Sequence, residues 1–458
     1  MKVTVFMIIV GIIFLCIFVG LLTLIVRALL KYIHSKDVRQ EKSVVRKSLG
    51  EALKVHRTQC KMTQEFVAET IGVSRQAVSK WENGTTYPNI EILRDLAIVL
   101  DVSVDEILAG SERDAEGLSY SKAGIDITYT DTIKREMAKH LDTKDDRVLN
   151  GLGPFASLYD IKFQEIENPV LVLKSEEPGS KQKLAIEYGY SESICHDMVN
   201  HLVNDIVVMG AKPLAVLDTI VCGNAEADTI KTLVKGVSDA CKENECSLVG
   251  GETSIQPLVV DPGVYVLTSS IAGIVERSKV IDGSQIKEGD AVLAIASNGL
   301  HTNGYSLVRL LMDKMPQIKL DKIDGLTFIE QIMKPHTPYY RSIKDLFDKD
   351  VIHGMAHITG GGIEGNLCRI IPEGLSAKID LSKIKILDIF KYIRNNGNIS
   401  DEEMLRTFNC GVGFNIVTNQ KDKAAVMHHV SRFYDCYEIG VIESGDCKVK
   451  FENRLNWL

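Results

Sequence analysis

Chemistry in this 458-residue chain is most legible at five glycine-rich joints: Gly151-Leu152-Gly153, Gly250-Gly251-Glu252-Thr253, the run from Asn298 to Ser306, Thr359-Gly360-Gly361-Gly362, and Asn409-Cys410-Gly411-Val412-Gly413. Glycine lets a backbone approach a phosphate closely, and successive N–H groups at such turns form anion-binding concavities, often where a helix opens. Several such joints in one chain point to a polyphosphate site. Gly179-Ser180-Lys181 lacks the preceding glycine and the residue order of a P-loop, and no G-x-G-x-x-G opens a βαβ unit.

The elements that must position these joints alternate. Residues 170–173, 215–217, 264–275 and 291–296 read as short strands. Residues 195–210 and 229–244 read as helices between them, an α/β or α+β pattern. A polar, glycine-flanked stretch at 111–118 marks a domain boundary. At this length two to four folded units are expected.

A net charge of −8 and a pI near 5.8 exclude a protein that coats nucleic acid over its whole surface, so any DNA contact is local. Ten cysteines are scattered without a CxxC pair or zinc-finger spacing, which reads as buried reduced thiols. Packing is expected even for Cys410, the one cysteine inside a glycine joint.

Residues 3–26 form an uncharged apolar run, against the roughly 20 residues a helix needs to cross a bilayer. Arg27, Lys31, Lys36, Arg39, Lys42, Arg46 and Lys47 follow it, and only Lys2 and the amino terminus precede it. The expectation is a single-pass anchor over 1–33 with the bulk of the chain in the cytoplasm.

From Leu49 to Leu108 apolar residues recur at helical spacing, among them Leu53, Phe66, Val67, Val78, Trp81, Ile90, Leu93 and Leu96. The stretch from Met62 to Gly84 resembles the phage-repressor (Cro/C1-type) helix-turn-helix family, giving an all-α domain over 45–110. Thr63 and Ser74 are expected to cap its two helices and Gly72 to supply the left-handed turn. Gln64, Arg75, Gln76, Ser79 and Lys80 are then the candidate DNA contacts. Between Lys36 and Lys80 ten basic residues face five acidic ones, which suits a phosphate-facing surface. The alternative use of such a bundle is protein docking.

The remainder resembles the phosphoribosylformylglycinamidine cyclo-ligase (AIR synthetase) family. The resemblance rests on the blocks Asn204–Pro213, Leu248–Thr253, His301–Arg309, Ala356–Gly362 and Arg406–Gly413. It implies two α/β domains, 119–280 and 281–455, paired through their N-terminal halves in a homodimer. It also implies ATP, Mg2+ and a formylglycinamidine ribonucleotide, whose formyl oxygen is phosphorylated before the amidine nitrogen closes the imidazole ring. Carried over by position, Asp205, Glu252 and Glu176 are the candidate metal carboxylates. Lys181, His301 and Asn303 are the candidate catalytic residues. Gly151, Gly153, Gly179, Ser180, Lys181, Gly250, Gly251, Thr253, Thr359, Gly360, Gly361 and Gly362 are the candidate ATP and phosphate contacts. A hydrogen-bonded scaffold role is the alternative for His301.

The pattern departs from the family in one site. Its T-D-G-V-G-T-K loop is here Ser175-Glu176-Glu177-Pro178-Gly179-Ser180-Lys181, and G-G-E-T-A-E-M-P becomes the run from Gly250 to Pro257. Glu176 lengthens a carboxylate that a magnesium ion would meet under strict geometry, and Glu177 adds charge to a phosphate loop. These departures leave open a second reading, a membrane-tethered transcriptional regulator whose weakened cyclo-ligase part senses a nucleotide.

Overall fold

The computed structural model describes residues 49–105, 107–108, 132, 145–150, 155–224, 226–446 and 449–458. The apolar run at 3–26, the boundary at 111–118 and the Gly151/Gly153 joint lie outside them. Among the described residues no helix is long and apolar enough to cross a membrane. The chain divides into two compact units, Met1–Ser119 and Tyr120–Leu458.

In the first unit a helical segment over 49–59 precedes α1 (Gln64–Thr70), α2 (Arg75–Glu82) and α3 (Ile90–Val99). Thr63 caps α1 by accepting from the Phe66 amide at 3.1 Å, and Ser74 caps α2 by accepting from Ala77 at 3.3 Å. Gly72 between them has φ +70°, which costs glycine nothing sterically. Leu53, Val67, Val78, Trp81, Leu93 and Leu96 form the core. Phe66 and Ile90 do not join it: both are exposed, because each sits in the first turn of its helix beyond the edge of the apolar stripe.

Among its described residues the second unit holds two large sheets and a small two-stranded one that pairs 322–323 with 326–327. The first contains β1 (Pro169–Glu176), β2 (Lys212–Cys222), β3 (Ser247–Ile255) and β4 (Tyr265–Glu276), in the order β1-β4-β2-β3. Helices α4 (Lys181–Tyr188) and α5 (Ser191–Val207) follow β1. β2 and β3 are parallel and joined through α6 (Ala227–Glu243). The block Gly250–Thr253, expected as a turn, lies inside β3. A Cβ on Gly251 would stand 1.8 Å from Asp218 Oδ1, so glycine is required there by the neighbouring strand's side chain.

The second sheet carries β5 (Ala291–Ala296), β6 (Gly354–His357), β7 (Leu375–Asp380), β8 (Val412–Thr418), β9 (Cys436–Ser444) and β10 (Val449–Glu452), ordered β10-β7-β9-β5-β8-β6. One apolar core runs from Met198, Leu202 and Ile206 of α5 to Phe328, Tyr339 and Phe414 of the second half. α5 is therefore buried nearly all round, as its long apolar content allows.

Candidate active site

One face of α5 carries Asp197, Asn200, His201, Asn204 and Asp205, residues three and four apart; the first four meet the segment 334–339, and Asp205 meets Lys174 and His357. The two asparagines act as clamps. Asn200 Nδ2 donates to the His336 carbonyl at 2.6 Å, and Asn204 Nδ2 donates to that of Thr337 at 2.9 Å. Asn204 Oδ1 accepts the Tyr339 amide at 3.1 Å. Polar groups on a buried helix need such partners, and here satisfying them fixes where the two halves meet.

Lys181 does not offer its ammonium to a phosphate in this structure. It is fully buried, 2.7 and 2.8 Å from the two Asp197 oxygens, 3.1 Å from the His301 carbonyl and 2.8 Å from that of Lys334. An ammonium has three protons, and these partners use them all. Burial pushes Lys181 down and Asp197 up to about 6, and their mutual attraction opposes both shifts. The geometry is that of an ion pair which also ties α4 to the second half.

Above that pair lies a charged cluster. Lys174 Nζ, from β1, stands 2.9 Å from Glu176 Oε2 and 3.0 Å from Asp205 Oδ2. Asp205 Oδ1 accepts from His357 Nδ1 at 2.7 Å. Burial opposes ionisation of Asp205, but the hydrogen bonds from His357 and Lys174 outweigh it and hold the carboxyl below the ordinary range. His201 lies 3.6 Å from Asp205 Oδ2 and 3.7 Å from Glu176 Oε2, and burial lowers its pKa to about 4. Four imidazoles adjoin one another: His301 stacks on His336 at 3.9 Å, and His336 Nε2 meets His357 Nε2 at 2.8 Å. His201 contacts both His336 and His357 edge-on or tilted.

His301, at φ +61°, is buried, and its Nε2 meets Thr337 Oγ1 at 3.1 Å. Burial drives it well below the ordinary histidine range, so it stays neutral at pH 7. Asn303 is half-buried, and its Oδ1 lies 3.3 Å from where a Cβ of Gly360 would be. A Cβ of Gly179 would lie 3.7 Å from the Thr302 carbonyl. Thus the loop ending at Lys181, the segment His301–Asn303 and the turn Thr359–Gly362 converge. Of their amides, Gly361 and Gly362 already donate to Arg406 and Thr359 carbonyls at 3.1 Å, so these two are not free phosphate donors. α4 opens directly after Gly179 and Ser180 with no side-chain cap, but its Gln182 and Lys183 amides already donate to the Gly179 and Ser180 carbonyls at 3.2 and 3.3 Å, so an anion there would meet the Gly179, Ser180 and Lys181 amides.

Glu252, Gly250, Gly251 and Thr253 fall elsewhere. Glu176 pairs with Ser269, Ser269 with Asp218 and Asp218 with Gly251, which sets Glu252 and Glu176 on opposite edges of the first sheet. Three strand spacings separate them by about 14 Å. Within one chain they do not hold the same ion. Cys410 is buried and its thiol is pushed up to about 12 by burial, so it packs rather than attacks.

Lys174, His201 and His336 are members of the cluster that the sequence does not announce. His201 carries a faint signal, four residues before Asp205 on one helical face. His336 and Lys174 carry none, because only the fold brings their strands and loops to α5.

In the first unit Arg75, Gln76 and Lys80 are exposed along α2, and Ser79 is half-buried. Gln64 is engaged: its Nε2 donates to Glu82 Oε2 at 2.7 Å, beside the Arg57–Glu82 ion pair at 2.5 Å.

Three family descriptions match the chain: helix-turn-helix over residues 53–107, AIR synthase related protein N-terminal domain over 169–275, and its C-terminal domain over 287–451. A phosphoribosylformylglycinamidine cyclo-ligase of Burkholderia multivorans is 38% identical over 337 residues, 73% of this chain and 95% of the relative. That of Methylobacillus flagellatus is 40% identical over 309 residues, 67% and 89% of the two chains. Among solved structures, E. coli HypE aligns with TM-score 0.53 at 14% identity, covering 71% of this chain and 94% of that one. HypE in complex with ATP aligns at 0.51 and 16%, over 71% and 92%. These structural likenesses speak to the fold alone. With residues 169–451 matched across both domains and relatives covered nearly end to end, the chain belongs to the phosphoribosylformylglycinamidine cyclo-ligase family, with a helix-turn-helix domain ahead of the enzyme domains.

Proposed function

We propose that this chain closes the imidazole ring of aminoimidazole ribonucleotide from formylglycinamidine ribonucleotide at the expense of ATP. The γ-phosphoryl group passes to the formyl oxygen, the amidine nitrogen attacks the activated carbon, and ADP and phosphate leave. The observation that carries this reading is the convergence of the uncapped α4 N-terminus, Asn303 and the turn at Gly360 beside Asp205. The amides hold phosphate, and Asn303 supplies a donor and an acceptor at the reacting centre.

Asp205 and Glu176 are carboxylates of the type a magnesium ion takes, and they would hold one when Lys174 withdraws. The ion supplies charge neutralisation on the triphosphate. Neutral, buried His301 holds the segment that carries Asn303 and takes no proton itself at pH 7.

Dimer formation through the first sheet is supported by an unusual number of exposed apolar side chains on it: Leu171, Leu173, Leu217 and Val266. The run at 3–26 serves as a membrane anchor with the enzyme domains on the cytoplasmic side, and α2 docks on DNA through Arg75, Gln76 and Lys80. A coupled assay of the purified full chain for ADP and aminoimidazole ribonucleotide tests the central claim. Stoichiometric formation of both is expected. ADP release without the imidazole product would show a different phosphoryl acceptor.

A further inference from the structure

Asp205 Oδ1 accepts from His357 Nδ1 at 2.7 Å, which leaves Nε2 as the nitrogen of that ring turned to His336 with a lone pair. His336 Nε2 lies 2.8 Å from that lone pair and must carry the proton between them. Its other nitrogen, Nδ1, is then a bare acceptor. It is buried, and no donor among the described residues reaches it; His301 Nδ1 is likewise buried without a partner among them. A packed interior seldom leaves two such atoms unpartnered.

A coordinating ion would give His301 Nδ1 a partner. Ligand nitrogens of His301, His336 and His357 lie within 4.8 Å of one another, each on a buried ring. Behind His357 stands Asp205, the carboxylate that fixes tautomer and raises basicity in a carboxylate–histidine–metal triad. Behind His301 the Thr337 hydroxyl holds the ring in place. Three imidazole nitrogens with no cysteine suit Zn2+ or Co2+ rather than Mg2+. At metal–nitrogen distances of about 2.0–2.1 Å, tetrahedral ligands sit about 3.3 Å apart. The His336–His357 contact would open by roughly half an ångström and His301 would close in.

We propose that His301, His336 and His357 form a transition-metal site of the zinc class at the junction of the two halves, with Asp205 hydrogen-bonded behind His357 and not itself a ligand of that ion. Co2+ is the probe. The full-length untagged protein, stripped with chelator, is titrated with Co2+ and followed by visible absorption. The expected result is one equivalent bound per chain, with the intense bands of a tetrahedral nitrogen site, no thiolate charge transfer, and bleaching by one equivalent of Zn2+. His336→Gln should abolish the bands, and His428→Gln, an exposed control, should keep them. Absence of the bands in the unmodified protein overturns the proposal whether or not any variant folds. So does their survival in both His336→Gln and His357→Gln, or a charge-transfer band assigning the metal to cysteine.

Discussion

The Lys174 ammonium stands 3.0 Å from the Asp205 carboxylate, and by also reaching Glu176 at 2.9 Å it fills the place a divalent cation would take between them. Contact with two carboxylates raises the lysine pKa against the burial that would lower it, so the side chain is charged throughout the physiological range. A magnesium ion entering here must displace it. Lys174→Met should therefore lower the Mg2+ concentration needed for ATP binding roughly three- to tenfold, a modest effect because the lysine is partly exposed and screened. Calorimetric titration of ATP at several Mg2+ concentrations measures it. An unchanged or weaker Mg2+ dependence in the variant would show that Lys174 does not compete.

Lys181 is predicted to matter for stability before it matters for ATP. Replacing it by methionine strands Asp197 in a site with no solvent access, a change that costs about 3–5 kcal/mol when a buried pair is broken from one side. Adding Asp197→Leu should return much of that loss. Denaturant unfolding of the single and double variants gives the coupling. If Lys181→Met melts like the unmodified protein yet loses ATP affinity, the lysine contacts phosphate after all.

Which parts of this are legible in the sequence follows from how local each signal is. Caps at Thr63 and Ser74 and the left-handed Gly72 depend on neighbours within four residues, and all three stand in the structure as the sequence implies. The strands at 169–176 and 291–296 show as β-branched and aliphatic runs. β3 is hidden because Gly250 and Gly251 look like a turn until Asp218 is seen against them. The metal set goes astray at Glu252 for the same reason, since strand order decides which carboxylates are neighbours. Lys181 looks like a phosphate ligand because nothing in its own loop reveals Asp197, sixteen residues on.

Asn303 should separate catalysis from folding. It is half-buried, and no hydrogen bond among the described residues holds its side chain. Asn303→Ala is expected to leave the melting temperature within about 2 °C, since a surface-like truncation costs little. If the amide stabilises charge at the reacting centre, kcat falls about 100- to 1000-fold with little change in the KM for ATP. Equal loss in kcat and thermal stability would reassign Asn303 to the scaffold.

The pH dependence of stability should carry the mark of Asp218. Burial beside β3 raises its carboxyl to about 7, only weakly opposed by its own amide. A folded pKa above the unfolded value means the folded protein keeps a proton that the unfolded chain releases near pH 4. Stability from this group is thus full below pH 4 and declines as pH rises through 7. Asp218→Asn removes the dependence. The variant should match the unmodified protein near pH 4 and exceed it by a few kcal/mol at pH 8.5, because each tenfold fall in proton concentration between the two pKa values costs the carboxyl about 1.4 kcal/mol. Unfolding free energies at the two pH values decide it, and a variant no more stable at pH 8.5 refutes the assignment.

For the helix-turn-helix domain the informative variants are Arg75→Ala and Lys80→Ala on exposed positions of α2. Each removes one cation from the helix that would enter a major groove, whereas Gln64 is held by Glu82 and is a poorer reporter. A phosphate contact should weaken binding about equally on all sequences and reduce the salt slope by about one. A base contact should instead cost about 1–3 kcal/mol on the preferred sequence only. Fluorescence anisotropy with random and selected duplexes over a range of salt resolves the two. Arg75 begins the helix and should behave as a base reader, and Lys80, more than one turn further on, as a phosphate contact. If neither variant changes binding, α2 is not the reading helix and the domain docks on protein.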